Sequence, residues 1–472
     1  MPRKRLRSLL PAALGLAVLT SAPQVLSAQA GATAPADCPS DLAAHGVSET
    51  SDRLLGETAN ERRASCQVAP GLTFTKIEST LQDGRTRYVR VLSVDFAAFT
   101  GKIRATTGKT VKDREKTSDM AGLMASQGLE PLAAVNGGFF DIASAFSPGA
   151  LGGLTVAGGR VLNSASNGEA ALTLGNHGTN LWIDKVWSES RVTFTPPGGS
   201  PSELDHVVDG LNREPGRIQG CGGGSGPAGV NDRNSNSDNL IDARTPQLGI
   251  HCLDSDETIV FTEDFGALPF LPGTVRAVLV GADRTVKQVS DTTSGLMAGP
   301  GEHVVVATGS HAEWLRADAV VGSTMSLPAA DVRRGASADT AVYFNGTDDA
   351  VVNGGPWLVK NGAEGPFDFN SGTTPEHAYL TPMNSRTAAG ITADRKLLLV
   401  VVDKKSGPAG PAHGLTMPQL AQTMKNLGAT EAINLDGGGS STMWVKGALA
   451  NHPSDGAGEE RYVGNAIVVT AK

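Results

Sequence analysis

Two segments of this 472-residue chain share one order of parts: a helical pattern, an apolar strand, then a turn of glycines. The first runs from "TSDMAGLMASQG" into "EPLAAVNGGFFD", residues 117–141. The second runs from "MPQLAQTMKNLGA" into "TEAINLDGGGSSTM", residues 417–443. Glycine directly after a buried strand removes the Cβ atoms that would keep backbone or ligand at a distance. A third such turn, Asn353-Gly354-Gly355, lies between them, so the turns at 136–138, 353–355 and 436–438 are expected to meet at one place. With 58 glycines and 5% aromatic residues, the chain favours many turns and loops over long helices.

The first residues bear on compartment. "MPRKRLRSLLPAALGLAVLT" has a basic start, an apolar run over 9–19 and small residues after it, with Ala28-Gln29-Ala30 fitting a cleavage site. Residues 1–30 therefore read as a secretory signal peptide, too short for an ordinary membrane span, and the expectation is a secreted, extracellular protein with no stable membrane insertion. Removing them takes away Arg3, Lys4, Arg5 and Arg7 and no acid. The 40 basic residues become 36 against 48 acidic, a net charge of −12. That sign argues against nucleic acid as a partner. Four cysteines in an exported chain favour disulfides. Neighbour pairing, Cys38–Cys66 and Cys221–Cys252, closes two polar loops of about thirty residues each.

Residues 31–110 read as an N-terminal arm followed by a β segment, where "TFTKIEST" and "TRYVRVLSVDF" flank a turn at Asp83-Gly84. Residues 111–472 form the main domain. A β-rich, loop-rich insertion occupies about 165–335, and its stretch "GCGGGSGPAGVNDRNSNSDNLIDAR" cannot be core. The expected fold class is α+β, a mixed β-sheet core with a few short helices.

Taken in order, "NGGPWLVKNG", "SRTAAGITADRKLLLVVVD", "HGLTMPQLAQTM", "NLDGGGSSTM" and "NHPSDGAGEERYVGNAIVV" resemble the phosphodiester glycosidase family, over about 131–163 and 350–470. The resemblance implies a hydrolase that cleaves the sugar–phosphate bond of a sugar-1-phosphodiester, such as an N-acetylglucosamine-1-phosphodiester, in a glycan or phosphopolymer. Two departures stand out. Ser385 occupies the place where the family commonly has proline, and Asp403-Lys404-Lys405 replaces the usual Asp-Gly-Arg.

Such a cleavage builds positive charge at the anomeric carbon, which a carboxylate stabilises, while arginine, hydroxyls and backbone N–H groups hold the phosphate. Asp436 is the first candidate for that carboxylate; its plainer role is an Asp closing its own turn. Arg386, with Thr387 beside it, is the candidate phosphate clamp, although an arginine before a strand is commonly a solvated charge. Arg461 is a second cation, which could simply pair with Glu459 or Glu460. Gly437, Gly438, Ser440, Ser441 and Thr442 are candidate anion contacts, or the start of a helix. Asn136 and Asn434 sit at matching strand ends, to meet sugar hydroxyls or to hold the opposite loop. Asp141 is a candidate second carboxylate.

Asp232, Asn234, Asn236 and Asp238 alternate oxygen ligands as a calcium loop does. The central glycine and closing glutamate are missing, so a solvated polar loop is the plain reading and Ca2+ the alternative. No other cofactor is implied. Two further readings stay open: a non-catalytic carbohydrate- or cell-wall-binding protein on the same fold, and a glycosidase acting on a linkage without phosphate.

Overall fold

The computed structural model describes Leu55 and residues 58–471, apart from 83, 143, 166–167, 176–177, 179, 202–205, 220–239, 242–250, 345, 368–379 and 405–412. Cys38, Cys221, the side chain of Cys252 and the proposed calcium loop at Asp232, Asn234, Asn236 and Asp238 lie outside the described residues, as does the signal peptide. Cys66 is buried on the first strand.

The architecture is mostly β, with three short α-helices among the described residues. An eight-stranded antiparallel sheet runs in the order Thr58–Ala69, Leu72–Leu81, Thr86–Val94, Leu397–Val402, Arg386–Thr392, Ala429–Asn434, Trp357–Lys360, Ala363–Glu364. The β segment before residue 100 is therefore built into the same sheet as the C-terminal strands, with Val91 opposite Val400. "LLLVVV" at Leu397–Val402 breaks the usual apolar–polar alternation because both faces are covered. Leu397, Leu399 and Val401 point into the central core. Leu398, Val400 and Val402 meet Leu420, Ala421 and Met424 of the helix Met417–Asn426. That helix starts at a capping box, with the Thr416 side chain accepting from Gln419 N–H and Gln419 Oε1 accepting from Thr416 N–H.

A five-stranded sheet joins Ala448–Leu449, Met443–Val445, Pro131–Asn136, Ala466–Thr470 and Lys102–Thr106. The helix Thr117–Ser126 packs on it through Met120, Ala121 and Met124. Lys116 stands at the capping position of this helix and makes no side-chain bond. Glu460 takes its place: its carboxylate accepts from Ser118 N–H (3.1 Å) and Ser118 Oγ (2.6 Å), a negative group at a helix N-terminus.

A seven-stranded sheet contains Glu169–Leu174, Trp182–Glu189 and Asp331–Arg334 together with Ala350–Gly354. Much of the 165–335 stretch thus pairs with a strand on its far side. The remainder forms a five-stranded sheet, including Thr258–Phe261, Val275–Val280 and His303–Thr308, with the helix His311–Asp318 against it, and two three-stranded sheets. Residues of the eight-, seven- and first five-stranded sheets share one core: Leu92, Leu172, Val352, Leu399, Ile433, Val135 and Ile467. No helix among the described residues is long and apolar enough to cross a membrane.

Candidate active site

Three strands, one from each sheet around the shared core, carry an asparagine at their last position, Asn136 and Asn434, or one residue before it, Asn353. Beyond each the glycine turns meet, as the sequence pattern suggests. Asp436 N–H donates to the Gly137 carbonyl (3.1 Å), and Gly355 N–H to the Asn434 carbonyl (2.8 Å). Gly138 lies so close to Asn353 that a Cβ would stand 2.2 Å from Asn353 Oδ1, and one on Gly137 would stand 2.2 Å from Asn465 Oδ1. Glycine is required at both by proximity.

Asn136 is the knot of this junction. Its Nδ2 donates to the Asp436 carbonyl (2.7 Å), while its Oδ1 accepts from Thr387 Oγ1 (2.8 Å) and Thr442 N–H (3.1 Å). Asn434 Nδ2 donates to the Gly355 carbonyl (2.8 Å). Both side chains are fully buried. The structure therefore places Asn136, Asn434 and Thr387 as holders of loops around Asp436.

Asp436 follows buried Leu435 and keeps part of its own surface open. Burial of its carboxyl pushes the pKa up to about 6, against the opposing pull of the Ser440 hydroxyl, Arg461 and the Gly437 N–H. The cation that bears on Asp436 is thus Arg461. Its Nη2 donates to Asp455 Oδ1 (2.7 Å), and that bond holds the Asp455 carboxyl below its ordinary range. Glu460 caps the helix and so is not the partner. Gly439 lies under the pair: a Cβ there would be 2.4 Å from Arg461 Nη2.

Arg386 is buried at the start of its strand. Its Nε donates to the Leu415 carbonyl (2.9 Å) and its Nη2 to the Pro382 carbonyl (2.7 Å), so it ties the strand to neighbouring loops. Asp141 is buried in an ion pair with Arg217 and accepts from Ser144 N–H (3.0 Å). Gly438 sits in a short 3-10 turn, Gly438–Ser440, and its N–H donates to the Ser385 carbonyl (2.8 Å).

Two of the candidate anion contacts, Ser441 Oγ and Thr442 Oγ1, are buried with no hydrogen-bond partner among the described residues. The same holds for Asn353 Oδ1 and both polar atoms of the Asn465 side chain, residues that escaped sequence reasoning. Asn353 and Asn465 stand beside glycines in the quoted motifs, which was the signal available for them. Asp403 is fully buried and accepts from Asn451 Nδ2 (2.9 Å) and His452 N–H (3.1 Å). Asn451 Nδ2 also donates to the Ser441 carbonyl (3.1 Å), anchoring the segment after the turn. Arg461 also lines an open groove with Asp113, Arg114, Ile142, Pro148, Asp455 and Tyr462. Ile142 and Tyr462 are each 52% exposed, an apolar rim beside two guanidinium groups. Nothing in the charged run "KDREK" marked Arg114. Among the described residues no cluster of three or more His, Cys, Asp or Glu could hold a metal ion.

Residues 277–470 match the sequence profile of the family described as phosphodiester glycosidase. The N-acetylglucosamine-1-phosphodiester alpha-N-acetylglucosaminidase of Mus musculus is 30% identical over 112 residues, covering 22% of this chain. The Homo sapiens enzyme of the same name is 29% identical over 112 residues and also covers 22% of this chain. The match spans about a fifth of the length of these relatives, 21% in both cases. A putative exported protein from Burkholderia pseudomallei has the same fold, with a TM-score of 0.68 at 20% identity, covering 93% of this chain and 98% of that one. A hypothetical protein from Synechocystis follows at a TM-score of 0.59 and 15% identity, over 85% of this chain and 62% of its own.

Proposed function

We propose that this chain, a member of the phosphodiester glycosidase family by its residues 277–470, is a secreted hydrolase that cleaves the sugar–phosphate bond of a sugar-1-phosphodiester. One observation carries the reading. The carboxylate of Asp436 emerges from a buried strand where three glycine turns meet, and Arg461, which bears on it, also lines the groove.

In this reading the phosphodiester lies in the groove near Arg461 and Arg114, and the sugar enters over the turns. Both guanidinium groups suit a phosphate oxygen pair. The unpartnered polar atoms of Ser441, Thr442, Asn353 and Asn465 favour hydroxyl-rich sugar over an apolar ligand, since buried polar groups are normally paired. As an ionised carboxylate, Asp436 stabilises the positive charge that develops at the anomeric carbon or attacks that carbon directly. The phosphate monoester leaves readily, which lowers the demand for a general acid.

The test is release of reducing sugar from an α-N-acetylglucosamine-1-phosphate diester by the purified chain, with Asp436→Asn and Arg461→Ala as comparisons. Release by the wild type, lost in Asp436→Asn and weakened in KM by Arg461→Ala, is the expected result. Absence of release from a panel of sugar-1-phosphodiesters, with binding retained, favours a carbohydrate-binding protein. Equal cleavage of an ordinary glycoside without phosphate favours a glycosidase of another linkage.

A further inference from the structure

Away from these loops, a cavity of about 490 Å³ opens between the sheet holding His303–Thr308 and the strands Arg160–Asn163 and Trp182–Glu189. Its size is that of a small-ligand pocket, for which roughly 300–1,000 Å³ is usual. Its walls are mainly apolar, from Val161, Val260, Leu327 and Phe344, with Tyr343 at the rim 74% exposed. Two side chains in the lining carry buried polar atoms without a hydrogen-bond partner among the described residues. The Arg284 guanidinium makes no ion pair or hydrogen bond among the described residues, and its Nη1 is buried. Nδ1 of His303 is buried and unpartnered as well.

The nearby acids are engaged elsewhere. Glu189 accepts from Arg191 Nε (2.9 Å), and Glu263 from Arg160 (3.1 Å) and Gly301 N–H (2.9 Å). Asp209 accepts from Thr258 N–H (2.7 Å), and burial, reinforced by Glu257, raises its carboxyl pKa well above the ordinary range. Burial and the neighbouring Arg284 push the His303 imidazole towards its neutral form. The lining thus concentrates positive charge at Arg284 beside a hydrogen-bonding imidazole and an aromatic rim. An unpaired buried guanidinium atom costs free energy that an anionic acceptor restores.

We propose that this cavity is a second ligand site, binding a saccharide unit that carries one anionic group, with the anion at Arg284 and the sugar face against Tyr343 and Phe344. The site shares no lining residue with the Asp436 junction, and its occupancy does not depend on turnover.

The test follows the imidazole signals of 15N-histidine-labelled protein, with His303 assigned by its loss in His303→Gln. The probes are N-acetylglucosamine 1-phosphate, glucuronic acid, inorganic phosphate and N-acetylglucosamine. The expected result is a saturable shift of His303 with an anionic sugar at concentrations where N-acetylglucosamine has none. The first two probes show whether phosphate or carboxylate is preferred, and inorganic phosphate whether the sugar contributes. Arg284→Met should weaken the response at least about tenfold. Arg284→Lys, which keeps charge but loses the fork, should fall between. Arg461→Ala should leave the response intact, separating it from the junction described above. An equal response to the neutral sugar overturns the proposal, as does no response to any anionic probe. A response unchanged in both Arg284 variants overturns it too.

Discussion

The turn after Asn136 and the turn after Asn434 leave similar apolar strands, flanked by similar helices, and then diverge. In the first, glycines follow the asparagine at once, and Gly137 and Gly138 are pressed against Asn465 and Asn353. In the second, Leu435 and Asp436 come between the asparagine and the glycines. Leu435 is buried in the core, and that anchor lets Asp436 emerge with part of its surface open. Two added residues, one apolar and one acidic, separate a turn that braces from a turn that presents a carboxylate. The second turn is thus a local departure from a shared strand-and-turn plan.

The sharpest way to break the comparison is Asp436→Asn, which keeps shape and removes charge. Sugar release should fall about 10³-fold or more if the carboxylate acts on the reacting carbon. In the wild type, kcat/KM should fall about tenfold per pH unit below about 6 as Asp436 takes up its proton. Stability should move the other way. The folded carboxyl has its pKa raised to about 6 from an ordinary value near 3.9, so its contribution is present below about pH 4 and lost as pH rises through about 6. Asp436→Asn should therefore raise Tm at pH 7.5, with the gain shrinking towards pH 4. A gain that is the same at both pH values would show that burial of this charge is not what strains the turn.

The bracing turn predicts the opposite pattern. Asn136→Ala removes the donor to the Asp436 carbonyl and the acceptor for Thr387 and Thr442, inside a fully buried site. The expected cost is about 3 kcal/mol in urea unfolding, with activity lost because Asp436 is no longer held. Asn136→Ala with wild-type stability and no activity would instead make Asn136 a substrate contact.

Much of this plan is legible in the residues. Period and composition locate both helices, both strands and the meeting of the three turns, because glycine after a buried strand leaves few other uses. Which polar side chain faces the ligand is less legible, since identical residues can brace or present. Arg386 looks like a clamp by motif, but its guanidinium binds the Leu415 and Pro382 carbonyls, while Arg461 bears on Asp436. Glu460 and Asp455 exchange the roles suggested by adjacency, because the helix N-terminus competes for Glu460. The pairing of strands before residue 100 with Leu397–Val402 joins distant segments, and local pattern carries no such information.

A finer probe of the presenting turn is Gly439→Ala. The new Cβ would fall 2.4 Å from Arg461 Nη2 and 2.6 Å from Asp455 Oδ1, so the ion pair must move. If Arg461 holds the phosphate before the chemical step, KM should rise about tenfold with kcat changed less. A fall in kcat alone would move Arg461 from phosphate binding to stabilising the transition state.

The smallest effect belongs to Ser385, which touches the turn from two sides. Its carbonyl accepts from Gly438 N–H (2.8 Å). Its hydroxyl accepts from Lys404 N–H (2.9 Å) and donates to Ser454 Oγ (2.9 Å), which donates in turn to the Gly438 carbonyl (3.1 Å). A proline at 385 could supply only the carbonyl contact, so the hydroxyl relay belongs to this chain's own sequence. Ser385→Ala should cost about 1 kcal/mol of stability and lower kcat only a few-fold, since the carbonyl contact survives. Ser454→Ala should have nearly the same effect, and the double variant little more, because both act through one chain of bonds. Additive losses in the double variant would show that the two serines support the turn independently, leaving the Asn136 side as the only brace that works as a unit.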